Sequence, residues 1–205
     1  MKRVFDVLTS IVGLLLLSPL FLIVAILIKL DSRGPVFFRQ DRVGRALRPF
    51  PILKFRTMVK DAPGKGGLIT IGNDARITRV GRFLRKMKFD ELPQLINVLR
   101  GEMSIVGPRP EVHRYVELFR EDYREILTIR PGITDLASLK YRDEAAILGS
   151  CLDPEAMYAE RILPEKVSLA KEYVRKSSLI FDLTLILKTL AALSGLTVSD
   201  VNSRR

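Results

Sequence analysis

Asp90 and Glu91 are adjacent carboxylates, followed at once by Leu92 and Pro93. Proline is tolerated only in the first turn of a helix, so this spacing sets both acids at a helix amino terminus. Ahead of them Arg76, Arg79, Arg82 and Arg85 recur every third residue and are joined by Lys86 and Lys88 before any acid appears. The helix dipole and this cationic stripe favour the ionised form, so Asp90 is expected to be a carboxylate near neutral pH rather than a proton donor. Such a carboxylate suits two tasks: binding Mg2+ and attacking a phosphorus whose charge the arginines neutralise. The same pattern also describes a plain helix cap beside a solvated basic face, because Asp is a preferred cap.

A second chemical signal is Gly107-Pro108-Arg109-Pro110-Glu111, in which two prolines stiffen the backbone on either side of one arginine. A fixed guanidinium makes a good phosphate clamp, since its planar fork grips two oxygens at once. A purely structural turn is the competing reading. Arg130-Pro131-Gly132-Ile133-Thr134 and Lys140-Tyr141-Arg142-Asp143-Glu144 form a further loop region that sets arginines near acids. His113, the single histidine, follows the rigid turn and reads as a surface or capping residue at a helix start, with no Ser or Cys nucleophile around it. Cys151 reads as a small packed residue. Gly64-Lys65-Gly66-Gly67 reads as a linker, because no Ser or Thr follows the Lys as a phosphate loop requires.

These residues need a scaffold. Val36-Phe37-Phe38 and Ile52-Leu53-Lys54-Phe55 read as short strands. Helices are expected over Ile77–Phe89, Leu92–Leu99, Glu111–Leu127, and on both sides of Pro164 as far as Arg175. Leu179, Leu183, Ile186, Leu190 and Leu193 mark an amphipathic last helix that fits either the core or a membrane interface. The fold class is therefore mainly α with a few short strands.

The amino-terminal segment is different in kind. No charged residue lies between Asp6 and Lys29, and those 22 residues would make a helix of about 33 Å, enough to cross a hydrocarbon core of about 30 Å. Ser18-Pro19 falls at its centre, where proline removes a backbone bond and kinks a helix. Lys2 and Arg3 precede the segment while Lys29 and Arg33 follow it, so the positive-inside rule puts both ends on the cytoplasmic side. A re-entrant helix broken at Ser18 and Pro19 fits these facts better than a kinked single span. No small-x-small cleavage site follows Ile28, so the segment is expected to persist. The chain thus divides into a re-entrant membrane helix over 1–30 and one compact, membrane-associated cytoplasmic domain over 31–205.

Composition narrows the partners. Across 205 residues, 34 Lys and Arg against 23 Asp and Glu leave a net charge of +11, which favours a polyanion: nucleic acid, an anionic membrane face or a phosphorylated substrate. One cysteine excludes an internal disulfide framework, and a hydrophobic content of 47% excludes wholesale disorder.

The chain resembles a known family through six motifs in order: Ser18-Pro19 in an apolar segment, Gly34-Pro35-Val36-Phe37-Phe38-Arg39-Gln40 with Arg42-Val43-Gly44, Lys54-Phe55-Arg56-Thr57-Met58, Asp90-Glu91-Leu92-Pro93-Gln94, Ser104 to Glu111, and Arg130 to Thr134. It looks like a small monotopic phosphoglycosyl transferase, one of the bacterial sugar transferases. The resemblance implies an enzyme at the cytoplasmic face of the inner membrane that moves a sugar-1-phosphate from a UDP-sugar to a polyprenol phosphate such as undecaprenyl phosphate, releasing UMP and starting a polysaccharide or glycoconjugate. It further implies catalysis by the Asp90-Glu91 dyad with Mg2+ on Asp90 and a covalent phosphosugar on that residue. Arg85, Arg109 and Arg142, helped by Lys54 and Arg56, would bind phosphate. A homodimer is compatible with all of this. After Thr134 the usual glycine is replaced by Asp135-Leu136-Ala137-Ser138, a departure that bears on sugar choice. The rival class is a membrane-tethered nucleic-acid-binding module, which would use the same cationic surplus but has no recognised reading motif here.

Overall fold

The computed structural model describes residues 1–62, 70–71 and 74–194; the Gly64–Gly67 linker lies outside them. Helix α1 (Lys2–Asp31) is the one helix among the described residues that is long and apolar enough to cross a membrane. A hairpin of β1 (Phe37–Val43) and β2 (Pro49–Phe55) follows, in the register Phe37 to Phe55 through Val43 to Pro49. Then come α2 (Arg79–Lys86), a 3-10 turn at Phe89–Glu91, α3 (Gln94–Arg100) and β3 (Ser104–Val106). Next are α4 (His113–Leu118), α5 (Arg120–Ile126) and β4 (Gly132–Thr134), which pairs parallel with β3. The chain continues through α6 (Leu136–Lys140), α7 (Glu144–Gly149), α8 (Pro154–Met157), a π turn, α9 (Leu163–Lys176) and α10 (Leu179–Leu193). The expectation of a mainly helical chain with a few short strands holds.

Two expectations change. Pro19 does not break α1: helical backbone runs from Lys2 to Asp31 with Pro19 inside it. A proline at 19 leaves the Leu15 carbonyl without its i+4 donor, and the Ser18 hydroxyl donates to that carbonyl at 2.8 Å, replacing the lost bond. The single helix expected over 111–127 is instead α4 and α5, parted at Phe119, whose φ of −129° and ψ of 43° are not helical. Phe119 packs against two clusters, one with Tyr115 and Tyr158 and one with Tyr123 and Ile126. The bend lets the two short helices face different partners.

Helix α1 is packed inside out relative to a soluble amphipathic helix. Asp6, Ser10, Val24 and Ile28 are buried, with Leu14, Leu17, Leu20 and Phe21 partly covered between them, while Leu8, Leu15, Leu16, Leu22, Ile23 and Leu30 are exposed. Its inner stripe recurs every three or four residues, as one helix face must. Both ends are fastened. Lys2 donates to the Val106 carbonyl (3.0 Å) and to Asp182, which also accepts from Tyr173 (2.6 Å). Asp6 accepts from the Ser104 hydroxyl (2.9 Å) and the Ile105 amide (3.1 Å). At the far end the Asp31 carboxylate accepts from the Val80 amide at 3.0 Å.

The main core joins Phe50 and Ile52 of the hairpin to Leu95 and Val98 of α3, Ile105 and Val106 of β3, Tyr173 of α9 and Leu185 of α10. Fully buried Asn97 ties α3 to β2, accepting from the Leu53 amide (2.9 Å) and donating to the Pro51 carbonyl (2.8 Å). Gly107 and Gly132 let β3 and β4 meet where the rigid turn begins. A Cβ on Gly132 would lie 2.0 Å from the Gly107 nitrogen, a backbone atom that cannot step aside.

Gly132→Ala should therefore cost at least the about 1–3 kcal/mol typical of overpacking, lowering Tm by about 2–12 °C at about 2–4 °C per kcal/mol for a chain of this size. Thermal unfolding of the detergent-solubilised protein checks this, and an unchanged Tm would contradict the close approach.

Candidate active site

The dyad sits in the 3-10 turn Phe89–Glu91, one turn ahead of α3, whose N-cap is Pro93. Asp90 is not the helix cap: no side-chain cap bond forms there, and its Oδ1 atom is sealed from solvent without a hydrogen-bond partner. Lys88 opens the turn in the left-handed region at φ 57°, a conformation that costs a side-chain-bearing residue about 1–3 kcal/mol. That backbone folds Asp90 inward, to 8% exposure.

Three elements bring cations to the pair. Lys54 of β2 donates to Glu91 Oε1 at 2.8 Å. Arg109, between its prolines, reaches the same carboxylate with both prongs, at 2.6 and 3.4 Å. Arg85 of α2 stands near Asp90, its Nε donating to the Thr57 hydroxyl at 2.8 Å. Gly81 permits that arrangement, since a Cβ there would lie 2.0 Å from the Thr57 carbonyl oxygen and push α2 off the strand exit.

The electrostatics separate the two acids. Burial pushes the Asp90 carboxyl above its ordinary value and Glu91 adds to the rise, against Lys54 and Arg85, which pull it down. Burial pushes Glu91 up as well, but Arg109 and Lys54 outweigh it and hold that carboxyl well below the usual range. Arg109 is in turn held charged by Glu91. The dipole and arginines seen in the sequence are thus joined by a stronger influence, burial: Glu91 takes the two direct cation contacts and Asp90 takes the desolvation.

The Arg109 turn is braced from both sides. Behind it Arg42 donates to the Pro110 carbonyl (3.2 Å) and lies 3.4 Å from Glu111, whose other oxygen accepts from Tyr158 (2.8 Å). In front, the Arg109 amide donates to Asp135 Oδ2 at 3.1 Å. Of the residues expected to bind phosphate, Arg85, Arg109 and Lys54 gather at the dyad and two do not. Arg56 is buried and donates to the Ser32 and Arg33 carbonyls, tying off the end of α1. Arg142 donates to the Ala192 carbonyl at the end of α10. His113 starts α4, exposed and paired with Glu117, as expected of a surface residue. Sequence reasoning missed Thr57, Asn97 and the contact from Asp135 to Arg109. Only the last had a local signal, an Asp three residues ahead of Ser138 at a helix start.

Among the described residues no three His, Cys, Asp or Glu side chains could cage a metal. Mg2+ asks for less: one or two carboxylates, with the remaining positions taken by substrate phosphates and water. The partnerless oxygen of Asp90 fits that role.

The sequence model of the bacterial sugar transferase family matches residues 1–195. The chain is 39% identical over 194 residues to a UDP-N-acetylgalactosamine-undecaprenyl-phosphate N-acetylgalactosaminephosphotransferase of Aeromonas hydrophila, covering 92% of this chain and 42% of that protein. It is 38% identical over 210 residues to the exopolysaccharide production protein ExoY of Rhizobium meliloti, covering 93% and 84%. It is 38% identical over 195 residues to a UDP-glucose:undecaprenyl-phosphate glucose-1-phosphate transferase of Caulobacter vibrioides, covering 94% and 69%.

Because Asp90 has a raised pKa, the folded state holds its proton more tightly than the unfolded chain does, and the ionised carboxylate subtracts stability as pH rises through that window. Asp90→Asn should then unfold at a higher temperature than the wild type at pH 7–8, with the gap closing as pH falls below the ordinary carboxylate range. Melting curves from about pH 3 to 8 read this directly, and a destabilised Asn variant at pH 8 would reverse the assignment.

Proposed function

Because the chain belongs to the bacterial sugar transferase family, we propose that it transfers a sugar-1-phosphate from a UDP-sugar to a polyprenol phosphate, releasing UMP. The observation that carries the reading is the unequal dyad: a buried carboxylate at Asp90, one oxygen of which accepts no hydrogen bond, beside a Glu91 already paired with Lys54 and Arg109. Relatives named for N-acetylgalactosamine and for glucose are about equally similar, so the donor is proposed as a class.

One Asp90 oxygen attacks the sugar-bearing phosphorus, and the bond to the bridging oxygen breaks, so that UMP departs with that oxygen. The product is a mixed anhydride, a phosphosugar ester on Asp90. An oxygen of the polyprenol phosphate then attacks the same phosphorus and expels the Asp90 carboxylate, giving a polyprenyl diphosphosugar. The second pKa of a phosphate monoester is near 6, so this acceptor is largely a dianion at pH 7 and needs no base. Glu91, held ionised by two cations, is suited to positioning Lys54 and Arg109 rather than to taking protons. Arg85 and Arg109 offset the charge gathering at phosphorus. Asp90 would hold Mg2+, and the ion would supply further charge neutralisation for the departing UMP.

The membrane is part of the proposal. Lys2 and Arg3 at one end of α1, and Asp31 at the other, bond to the same folded body. Charged groups fastened to carbonyls and amides of that body keep both ends on one side of a bilayer, while exposed Leu15, Leu16, Leu22 and Ile23 enter one leaflet. Exposed Ile180, Leu183, Leu187 and Leu190 of α10 recur at helical spacing and lie in the same interface. The catalytic face is thereby cytoplasmic, where UDP-sugars are found.

With UDP-sugar and no acceptor, the wild type should carry a labelled phosphosugar that Asp90→Asn lacks, and full kinetics should be ping-pong. Label persisting on Asp90→Asn would exclude this nucleophile. Arg109→Lys should fold normally yet lose turnover by about 10²-fold, the usual loss when one stabilising donor is removed from a transition state. Cysteine labelling in intact cells should find position 2 protected from external reagent; labelling from outside would overturn the one-sided topology.

A further inference from the structure

We propose that Asp135 is a positioning residue that sets the direction of the Arg109 guanidinium. This rests on the transfer reaction proposed above. Asp135 is 3% exposed, and its two oxygens serve different masters. Oδ1 accepts the Ser138 amide at 2.7 Å and so caps α6. Oδ2 accepts the amide of Arg109 itself at 3.1 Å. The carboxylate also follows directly on Thr134, whose carbonyl accepts from the Gly107 amide at 3.1 Å, while the Gly132 amide donates to the Pro108 carbonyl at 2.9 Å. Asp135 thus closes a ladder that fixes the strand β4 to the turn from Gly107 through Arg109.

The consequence lies in what remains free. Pro108 and Pro110 have fixed φ and no amide hydrogen, so Arg109 carries the only backbone N–H between Gly107 and Glu111. Oδ2 takes that donor. With the backbone amide pinned on the Asp135 side, the side chain leaves toward Glu91, where both prongs land. The buried anion also adds to the field that holds Arg109 charged, after Glu91. A single oxygen at this position would cap α6 or hold Arg109, not both.

The test uses full-length protein in detergent micelles with UDP-sugar, polyprenol phosphate and Mg2+, reading UMP. Asp135→Ser keeps one oxygen for the helix cap, and Asp135→Asn keeps one acceptor and the side-chain volume. Each is expected to melt within about 2 °C of the wild type, to keep its KM for UDP-sugar, and to lose kcat about tenfold or more, as small displacements of a positioned group do. In an Arg109→Lys background, where the ammonium has no fork to aim, the same substitutions should change kcat by less than about threefold. Unchanged kcat in the wild-type background overturns the role. So does an equal loss in both backgrounds, or a loss of kcat that merely follows a loss of Tm. UMP missing from the wild-type reaction would remove the transfer reading, and this role with it, whereas UMP from the wild type with indifferent Asp135 variants removes the role alone.

Discussion

Two neighbouring carboxylates in a desolvated turn repel each other, and the structure meets that constraint by giving them different surroundings. Glu91 receives Lys54 from the hairpin and Arg109 from the rigid turn, and becomes the fixed centre of an ion triad. Asp90 receives no direct partner for its inner oxygen and keeps a raised proton affinity. Environments that push a pair of titratable groups apart assign them different tasks. Much of the surrounding architecture serves that asymmetry. Asn97 holds α3 to the strand that carries Lys54, Gly81 lets α2 set Arg85 beside the pair, and Arg42, Glu111 and Tyr158 brace the Arg109 turn. A desolvated carboxylate costs stability, and a strained Lys88 adds to that cost.

The same logic of unequal faces explains α1. A helix whose outward side chains are leucines and isoleucines has only its inward face left for specific recognition, and that face uses polar groups: Asp6 on Ser104 and Ile105, Lys2 on Asp182 and Val106. Hydrogen bonds of this kind specify register in a way that further apolar contact would not. The Ser18 hydroxyl plays a related part within the helix, capping the carbonyl that Pro19 leaves bare and so preserving a continuous rod where the local sequence signals a break.

Local spacing made the dyad, the Pro-Arg-Pro turn, the hairpin strands and the last helix legible, because each is written within about ten residues. What was hidden depends on contacts between distant segments. No local pattern shows that Thr57 takes the Arg85 Nε, that Arg56 is spent on closing the end of α1, or that Arg142 turns toward α10. The unequal surroundings of Asp90 and Glu91 are hidden for the same reason: dipoles and sequence neighbours are visible in a string, whereas burial and a partner 18 or 37 residues away are not. The split at Phe119 went unseen because the apolar spacing of α4 and α5 runs on through it.

The bond between Lys2 and Asp182 has a temporal side. It joins residues 180 positions apart, so the first helix is synthesised long before its last partner exists. At about 5–20 residues per second the ribosome needs about 10–40 s to bridge that gap. Until β3 has been made, Asp6 and the inner stripe of α1 lack most of the surface they finally bury against, and the Lys2 end waits longer still. The helix therefore has to be sheltered during translation by something other than its own chain, and in the topology proposed above the lipid leaflet is that shelter. In that proposed topology insertion comes before folding, and the rest of the molecule is assembled onto an anchor already in place.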